Sequence, residues 1–183
     1  ANLESAIGQA FTDMPSEFTG TIQDICELPL NDNAERGVFV ATLNAVLRFM
    51  NCIDKTIHCK DEEPEECARN LPDHIQSLVP EPRIAFIGMQ PAMVEYLSTK
   101  FPMRVTDNDP DNVGQKKYGL TIESSDKTKE VIDWSNVVLA TGSTLVNNTF
   151  SSLLRDKPVV FYGVTAIGIA FLTGNRHFCY NGH

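Results

Sequence analysis

The sequence predicts an α/β protein: a Rossmann-like, doubly wound, mainly parallel sheet over residues 83–183, preceded by a small α/β domain over residues 1–79. Three observations predict it. From Ile84 onward, short β-branched runs alternate with helical-period stretches, the grammar of βαβ units. The runs end in Gly88, Asp107 and Thr141, small or polar residues suited to turns at the carboxyl ends of parallel strands. Val79–Arg83, VPEPR, is a stiff, proline-rich joint that separates this pattern from what precedes it.

Taken in order, residues 3–11 place Leu3, Ile7, Ala10 and Phe11 at helical spacing before the breakers Asp13 and Pro15, which predicts a short helix. Residues 19–30 alternate weakly through Ile22, Ile25 and Leu28 and end at Pro29, which predicts a strand with Cys26 packed inside it. Residues 35–50 are apolar around most of the helical circumference, so this helix is expected to be largely buried. Asn44 interrupts it. A buried amide needs partners, so Asn44 either bonds backbone or faces a pocket.

Residues 52–67, CIDKTIHCKDEEPEEC, are rich in possible ligands. Asp54–His58 reads as extended, and Pro64 opens a helix to about Leu78 with Glu65 and Glu66 favoured by its dipole. Cys67 falls in the first turn by this reading, where the helix lowers a thiol pKa and the flanking carboxylates oppose it. His58, Cys59, Asp61 and Cys67 could converge, but their spacing matches no common zinc pattern. Half-buried thiols and solvated carboxylates are the competing reading.

Beyond the joint, Ile84–Gly88 reads as a strand, Pro91–Phe101 as a helix with Met93, Val94 and Leu97 inward, and Met103–Thr106 as a strand ending in Asp107. A turn-rich loop leads to a short strand at Tyr118–Ile122 and a short helix at Lys129–Trp134. Asn136–Ala140 is a buried strand, followed by the polar turn Thr141, Gly142, Ser143 and Thr144 and by a helix to Leu154 capped by Ser143 or Thr144. Pro158–Val164 is a strand, Gly163–Gly174 a helix and Arg176–Tyr180 an edge strand.

The charge balance is acidic, with Asp and Glu outnumbering Lys and Arg by 24 to 15 for a net charge of −9, which excludes a nucleic-acid partner on counterion-release grounds. No apolar run approaches a bilayer's thickness and no secretory leader is read, so no membrane partner is expected. Five cysteines, Cys26, Cys52, Cys59, Cys67 and Cys179, form an odd set that fits reduced thiols in the cytoplasm better than a disulfide framework.

A nucleotide-binding first turn would read G-x-G-x-x-G. Here Gly88 is followed by Met89, Gln90, Pro91, Ala92 and Met93, so Cβ atoms crowd the pyrophosphate position. Asp107, about 20 residues further on, stands where an acid commonly holds a ribose hydroxyl, which keeps a nucleoside or S-adenosylmethionine reading open. Nucleophile-elbow, P-loop, H-E-x-x-H and C-x-x-C motifs do not occur in the sequence. Cys179, with His177, Asn181 and His183 around it, could join a cleft if the tail folds back; a frayed tail is the alternative.

With these residues in place, the chain resembles a prokaryotic family labelled heavy-metal chelation proteins. The resemblance rests on VVLATGSTLVNNTF at 137–150, GVTAIGIAFLTGNRHFCYNG at 163–182 and ATLNAVLRF at 41–49, with HCKDEEPEEC as a further likeness. It implies an enolase-N-terminal-like domain, short in this chain, ahead of the Rossmann-like one, with a ligand in an interdomain cleft. Thr141, Gly142, Ser143, Thr144 and Asn147 would form its wall, faced by Asn44. The expected function is binding or handling of a metal ion or metal-containing small molecule, with His58, Cys59, Cys67 and Cys179 as metal donors and a transition metal or iron–sulfur cluster as the group held. The alternatives are an enzyme using a nucleoside-type cofactor through Gly88 and Asp107, or an interaction module without a small ligand. A homodimer is left open.

Overall fold

The computed structural model describes residues 1–60 and 62–183. Along the chain the elements are β1 (Asn2–Leu3), β2 (Ala6–Ile7), α1 (Ile22–Cys26), α2 (Asn33–Phe49), α3 (Glu63–Leu78), β3 (Ile84–Ile87), α4 (Pro91–Ser98) and β4 (Met103–Asp107). They continue with β5 (Lys116–Lys117), β6 (Leu120–Ser124), α5 (Thr128–Trp134), β7 (Val137–Thr141), α6 (Ser143–Val146), β8 (Val159–Tyr162), α7 (Ile167–Thr173) and β9 (Arg176–Phe178). The fold is a mostly parallel, Rossmann-like sheet preceded by a small N-terminal α/β region. Its contacts cluster into two compact units that interleave along the chain. The first holds Ala1–Cys59, Thr141–Ser152 and Phe161–His183; the second holds Lys60–Ala140 and Leu153–Val160, and so contains the Val79–Arg83 joint.

In the second unit, which takes in β7 as far as Ala140 and β8 as far as Val160, the strand order is β5-β6-β4-β3-β7-β8. β3 pairs in parallel with β4 on one side and β7 on the other, and β4 pairs in parallel with β6. By order of appearance the five main strands run third, second, first, fourth, fifth, so the direction of winding reverses between β3 and β7, as in mononucleotide-binding halves. Ile84–Ile87 and Val137–Ala140 are buried throughout, the signature of strands covered on both faces. α4 starts at Pro91 with the Gln90 side chain accepting from the Met93 N–H (2.6 Å), and it buries Met93, Val94 and Leu97 as expected. α3 packs on α4 and buries Leu71 and Ile75. The sixth strand starts at Leu120 rather than Tyr118: Tyr118 and Gly119 have φ of 54° and 78° and make the turn of the antiparallel β5–β6 hairpin.

In the first unit, α2 is the central element, packed against β1, β2, α1, α6 and α7. Asp32 caps it by accepting from the Glu35 N–H at 2.9 Å. The helix expected at residues 3–11 is instead the β1–β2 hairpin, turned at Glu4 (φ 50°) and closed by Asn2↔Ile7 and Leu3↔Ala6. The apolar residues cannot share a buried helical face, since Ile7 and Phe11 are exposed. Gly8 lies so close to α2 that a Cβ there would sit 2.2 Å from the Ala41 carbonyl oxygen and 2.3 Å from the Ala45 nitrogen. Bare backbone is what the contact requires.

The strand expected within residues 19–30 is also corrected: the segment folds as α1. Thr21 and Asp24 form a reciprocal capping box, in which the Asp24 N–H donates to the Thr21 hydroxyl (3.2 Å) and the Thr21 N–H donates to the Asp24 carboxylate (2.7 Å). That local signal outweighs the weak alternation. Cys26 is exposed rather than packed. After β7 the helix lasts one turn, not to Leu154, because Asn148 adopts φ 55° and a 3-10 turn at Phe150–Leu153 follows. The expected helix over Gly163–Gly174 begins at Ile167, after a 3-10 turn at Val164–Ala166, and closes on Gly174 in the left-handed conformation. The carboxyl end of β8 is flanked by β9, where the Gly163 N–H donates to the Phe178 carbonyl (3.3 Å).

Candidate ligand site

The candidate site is built at the carboxyl end of β7. The buried strand ends at Thr141, and the chain then turns into α6. The Gly142 N–H donates to the Tyr162 carbonyl (3.1 Å), which ties the corner to β8. A Cβ at Gly142 would lie 2.6 Å from the Ala166 nitrogen and 2.7 Å from the Thr165 Cβ, so this glycine permits close packing under the 164–166 turn. Thr144 is buried as well, and its hydroxyl donates to the Thr141 carbonyl at 2.8 Å. Thr141 and Ser143 remain half-buried, with their hydroxyls 2.8 Å apart. Each hydroxyl has further lone-pair capacity, and only one proton lies between them. Asn147, half-buried, accepts from the Asn33 side-chain amide at 3.3 Å. Arg36 braces the same loop, donating to the Val146 and Leu30 carbonyls and, at 2.7 Å, to the Asn33 side chain.

Asn44 is fully buried. Its side-chain N–H groups approach the carbonyls of Gln9 (3.0 Å), Val164 (3.2 Å) and Thr165 (3.3 Å), and its oxygen accepts from the Gly168 N–H at 2.9 Å. The amide thus joins three segments by their backbones. In the second unit, Gly88 has φ 88° and its N–H donates to the Thr106 carbonyl (2.8 Å). Asp107 accepts from the Met89 N–H with one carboxylate oxygen and from the Asp109 N–H (2.7 Å) with the other. It fixes the loop after β3 to the end of β4.

The cysteines are dispersed in environment. Cys26 and Cys52 are exposed, Cys59 and Cys179 intermediate, and Cys67 buried. Cys67 is the fifth residue of α3, past the first turn where sequence reading put it. His58 is exposed. Its Nδ1 lies 2.6 Å from the Cys59 carbonyl and 3.8 Å from the Cys59 sulfur, an arrangement in which Nδ1–H donates and Nε2 keeps the lone pair that a metal would use. Asp61 lies outside the described residues. Among the described residues, no three His, Cys, Asp or Glu side chains form a metal-holding group. The thiolate set that an iron–sulfur cluster needs is therefore not assembled among them.

Sequence reasoning did not find the tail's anchor. The backbones of Ile57 and His183 exchange two hydrogen bonds (2.8 and 3.0 Å), Arg48 donates to the His183 carbonyl (2.6 Å), and Lys55 donates to the carbonyls of Cys179 and Tyr180 (both 3.0 Å). His177 is half-buried, with Nε2 2.8 Å from the Gly163 carbonyl; desolvation pushes its pKa below the ordinary histidine value. The lone signal in the sequence is Asn181-Gly182. A Cβ at Gly182 would lie 2.7 Å from the Cys179 sulfur and 2.8 Å from the Lys55 Cβ, so the turn needs its glycine.

Strand order and buried parallel strands define a Rossmann-type α/β protein. The family model described as "Putative heavy-metal chelation", DUF364, matches residues 70–174, and the chain belongs to that family. It is similar in fold to a DUF364-family protein of unknown function from Pyrococcus horikoshii, with 21% identity and a TM-score of 0.60 over 85% of this chain and 60% of that one. A second DUF364 structure of unknown function, from Desulfitobacterium hafniense, gives 11% identity and a TM-score of 0.52 over 80% of this chain and 56% of that one. The chain therefore spans less than two thirds of either. No curated protein matches it. Association with metal or ligand handling holds at the level of the family. Among the described residues, no helix is long and apolar enough to cross a membrane.

Proposed function

We propose that this chain binds and handles a metal ion or a metal-containing small molecule. The observation that carries the reading is the family match over residues 70–174, with its description as heavy-metal chelation. Thr141, Ser143 and Asn147 are the candidate contacts for the small-molecule part, because their polar groups stay half-exposed at the end of β7, where open α/β sheets receive ligands. Gly142, Thr144 and Asn44 shape that corner from within. His58 and Cys59 are the candidate metal donors, a borderline imidazole beside a soft sulfur, with Cys179 and Cys67 as further thiols.

A thermal-shift titration under anaerobic conditions with zinc, copper(I) and iron(II), each alone and as a citrate complex, tests the reading. Binding to the folded state raises Tm with ligand concentration. The expected result is a rise for at least one metal that is lost in Cys59→Ser and reduced in Ser143→Ala. No rise with any of the six additions overturns it.

One observation favours a second reading, a nucleoside-type ligand such as S-adenosylmethionine. β3, the positive-φ Gly88, α4 and β4 ending in Asp107 follow one another in the order that such sites use. A shift with S-adenosylmethionine that survives chelator and vanishes in Asp107→Ala would favour it over the metal.

A further inference from the structure

We propose that the segment Phe11–Glu27 of the first unit is a docking surface for a cationic, apolar segment of another protein. Four large apolar side chains lie exposed along it: Phe11 at 71%, Met14 at 46%, Phe18 at 42% and Ile22 at 44%. Interleaved with them are the exposed carboxylates Asp13, Glu17, Asp24 and Glu27. The charge is of one sign. Glu4, Asp13, Glu17, Asp24, Glu27, Asp32 and Glu35 all precede Arg36, the first basic side chain in the sequence.

The segment is held in place rather than trailing. The Phe11 N–H donates to the Thr165 hydroxyl (2.9 Å), and the Thr12 hydroxyl donates to the Asn33 carbonyl (3.2 Å). The Asn33 amide donates to Asp13 (2.7 Å), and at the far end α1 packs on α2 with Ile25 buried. Thr21 donates to Asp24 from its N–H and its hydroxyl, which holds that carboxyl below its ordinary range and therefore ionised.

Charge selects the occupant. Nucleic acid and anionic lipid are repelled by these carboxylates, and a second copy of a chain with net charge −9 meets like charge. A basic, amphipathic segment is complementary in both respects: its lysines or arginines are steered by the acids, and its apolar face supplies anchors for Phe11, Met14, Phe18 and Ile22.

The probe is a fluorescent synthetic helix of lysine and leucine with apolar residues on one face, followed by anisotropy against the full chain. A glutamate–leucine helix of the same pattern is the charge control. The lysine helix is expected to bind, more weakly as salt rises, and the glutamate helix not to bind. Phe11→Ser with Phe18→Ser should weaken binding about tenfold or more, as loss of anchors does. Glu62→Gln with Glu65→Gln and Glu66→Gln, in the other acidic run, should leave it within about twofold. Circular dichroism checks folding, and if the double variant fails to fold, Phe11→Ser alone carries the same comparison. Equal binding by wild type and the phenylalanine variant overturns the proposal, as does an equal loss in the Glu62 triple variant. So does sedimentation showing self-association that the phenylalanine substitutions abolish.

Discussion

Replacing Asn44 by alanine separates two roles that one residue could have. The side chain is fully buried and serves the backbone of three segments, so its removal leaves the Gly168 N–H without its acceptor and deprives the Gln9, Val164 and Thr165 carbonyls of a donor. A buried donor left unsatisfied costs about 1–3 kcal/mol, and the carbonyls add a smaller loss because the N–H groups they share are few, so Asn44→Ala should destabilise the fold by about 2–4 kcal/mol. Asn44→Asp probes the same bonds differently. It keeps an acceptor for Gly168 but turns a second oxygen toward three carbonyls and buries a charge, so its carboxyl pKa rises on folding. The destabilisation should be at least as large near neutrality and should ease as the pH falls and the carboxyl protonates. Urea unfolding, read as a change in midpoint at constant m, measures both variants. A loss below about 0.5 kcal/mol for Asn44→Ala would refute the bond accounting, since that is the level of an ordinary surface change. A ligand contact would behave the other way, with stability kept and ligand response lost.

Three further outcomes follow from the geometry. Gly142→Ala places a Cβ against the Ala166 nitrogen and Thr165, so thermal melting should show a loss of about 1–3 kcal/mol, as overpacking against backbone gives. Asp107→Ala should destabilise the loop after β3 by about 1–3 kcal/mol through the Met89 and Asp109 N–H groups, measured by urea unfolding, with or without any nucleoside present. His177 has a folded pKa below its unfolded value of 6.5, so the unfolded chain binds the proton more readily; its contribution is complete above that value and is lost as pH falls through it. Urea midpoints at pH 7.5 and 5.5 should therefore fall further in wild type than in His177→Gln, and parallel falls would contradict the assignment.

The elements that sequence reading located share a strong local pattern. β3, β7 and β8 are short apolar runs buried along almost their whole length, β4 leaves Arg104 and Asp107 half-buried, and α2, α3 and α4 carry Asp32, Pro64, and Gln90 with Pro91 at their starts. The misreadings fall where tertiary contact overrides spacing. Gly8 against α2 decides for a hairpin over a helix, and no pattern within residues 3–11 announces it. The capping box of Thr21 and Asp24 was visible in the sequence and outranks a two-residue alternation. At the candidate site, the corner after β7 was legible from its residue types, but the burial of Gly142 comes from packing by a turn more than twenty residues away. Asn44 was recognisable as an amide in need of partners. Their identity depends on positions 9, 164, 165 and 168, which only the folded chain brings together.

The metal content of the full chain, purified without chelator under anaerobic conditions and measured by elemental mass spectrometry, bears most directly on the proposed handling of a metal. The expected result is a transition metal retained by the wild-type protein and depleted in Cys59→Ser. Negligible metal in the wild type, unchanged when the protein is reloaded with the metals used for the thermal titration, would contradict it.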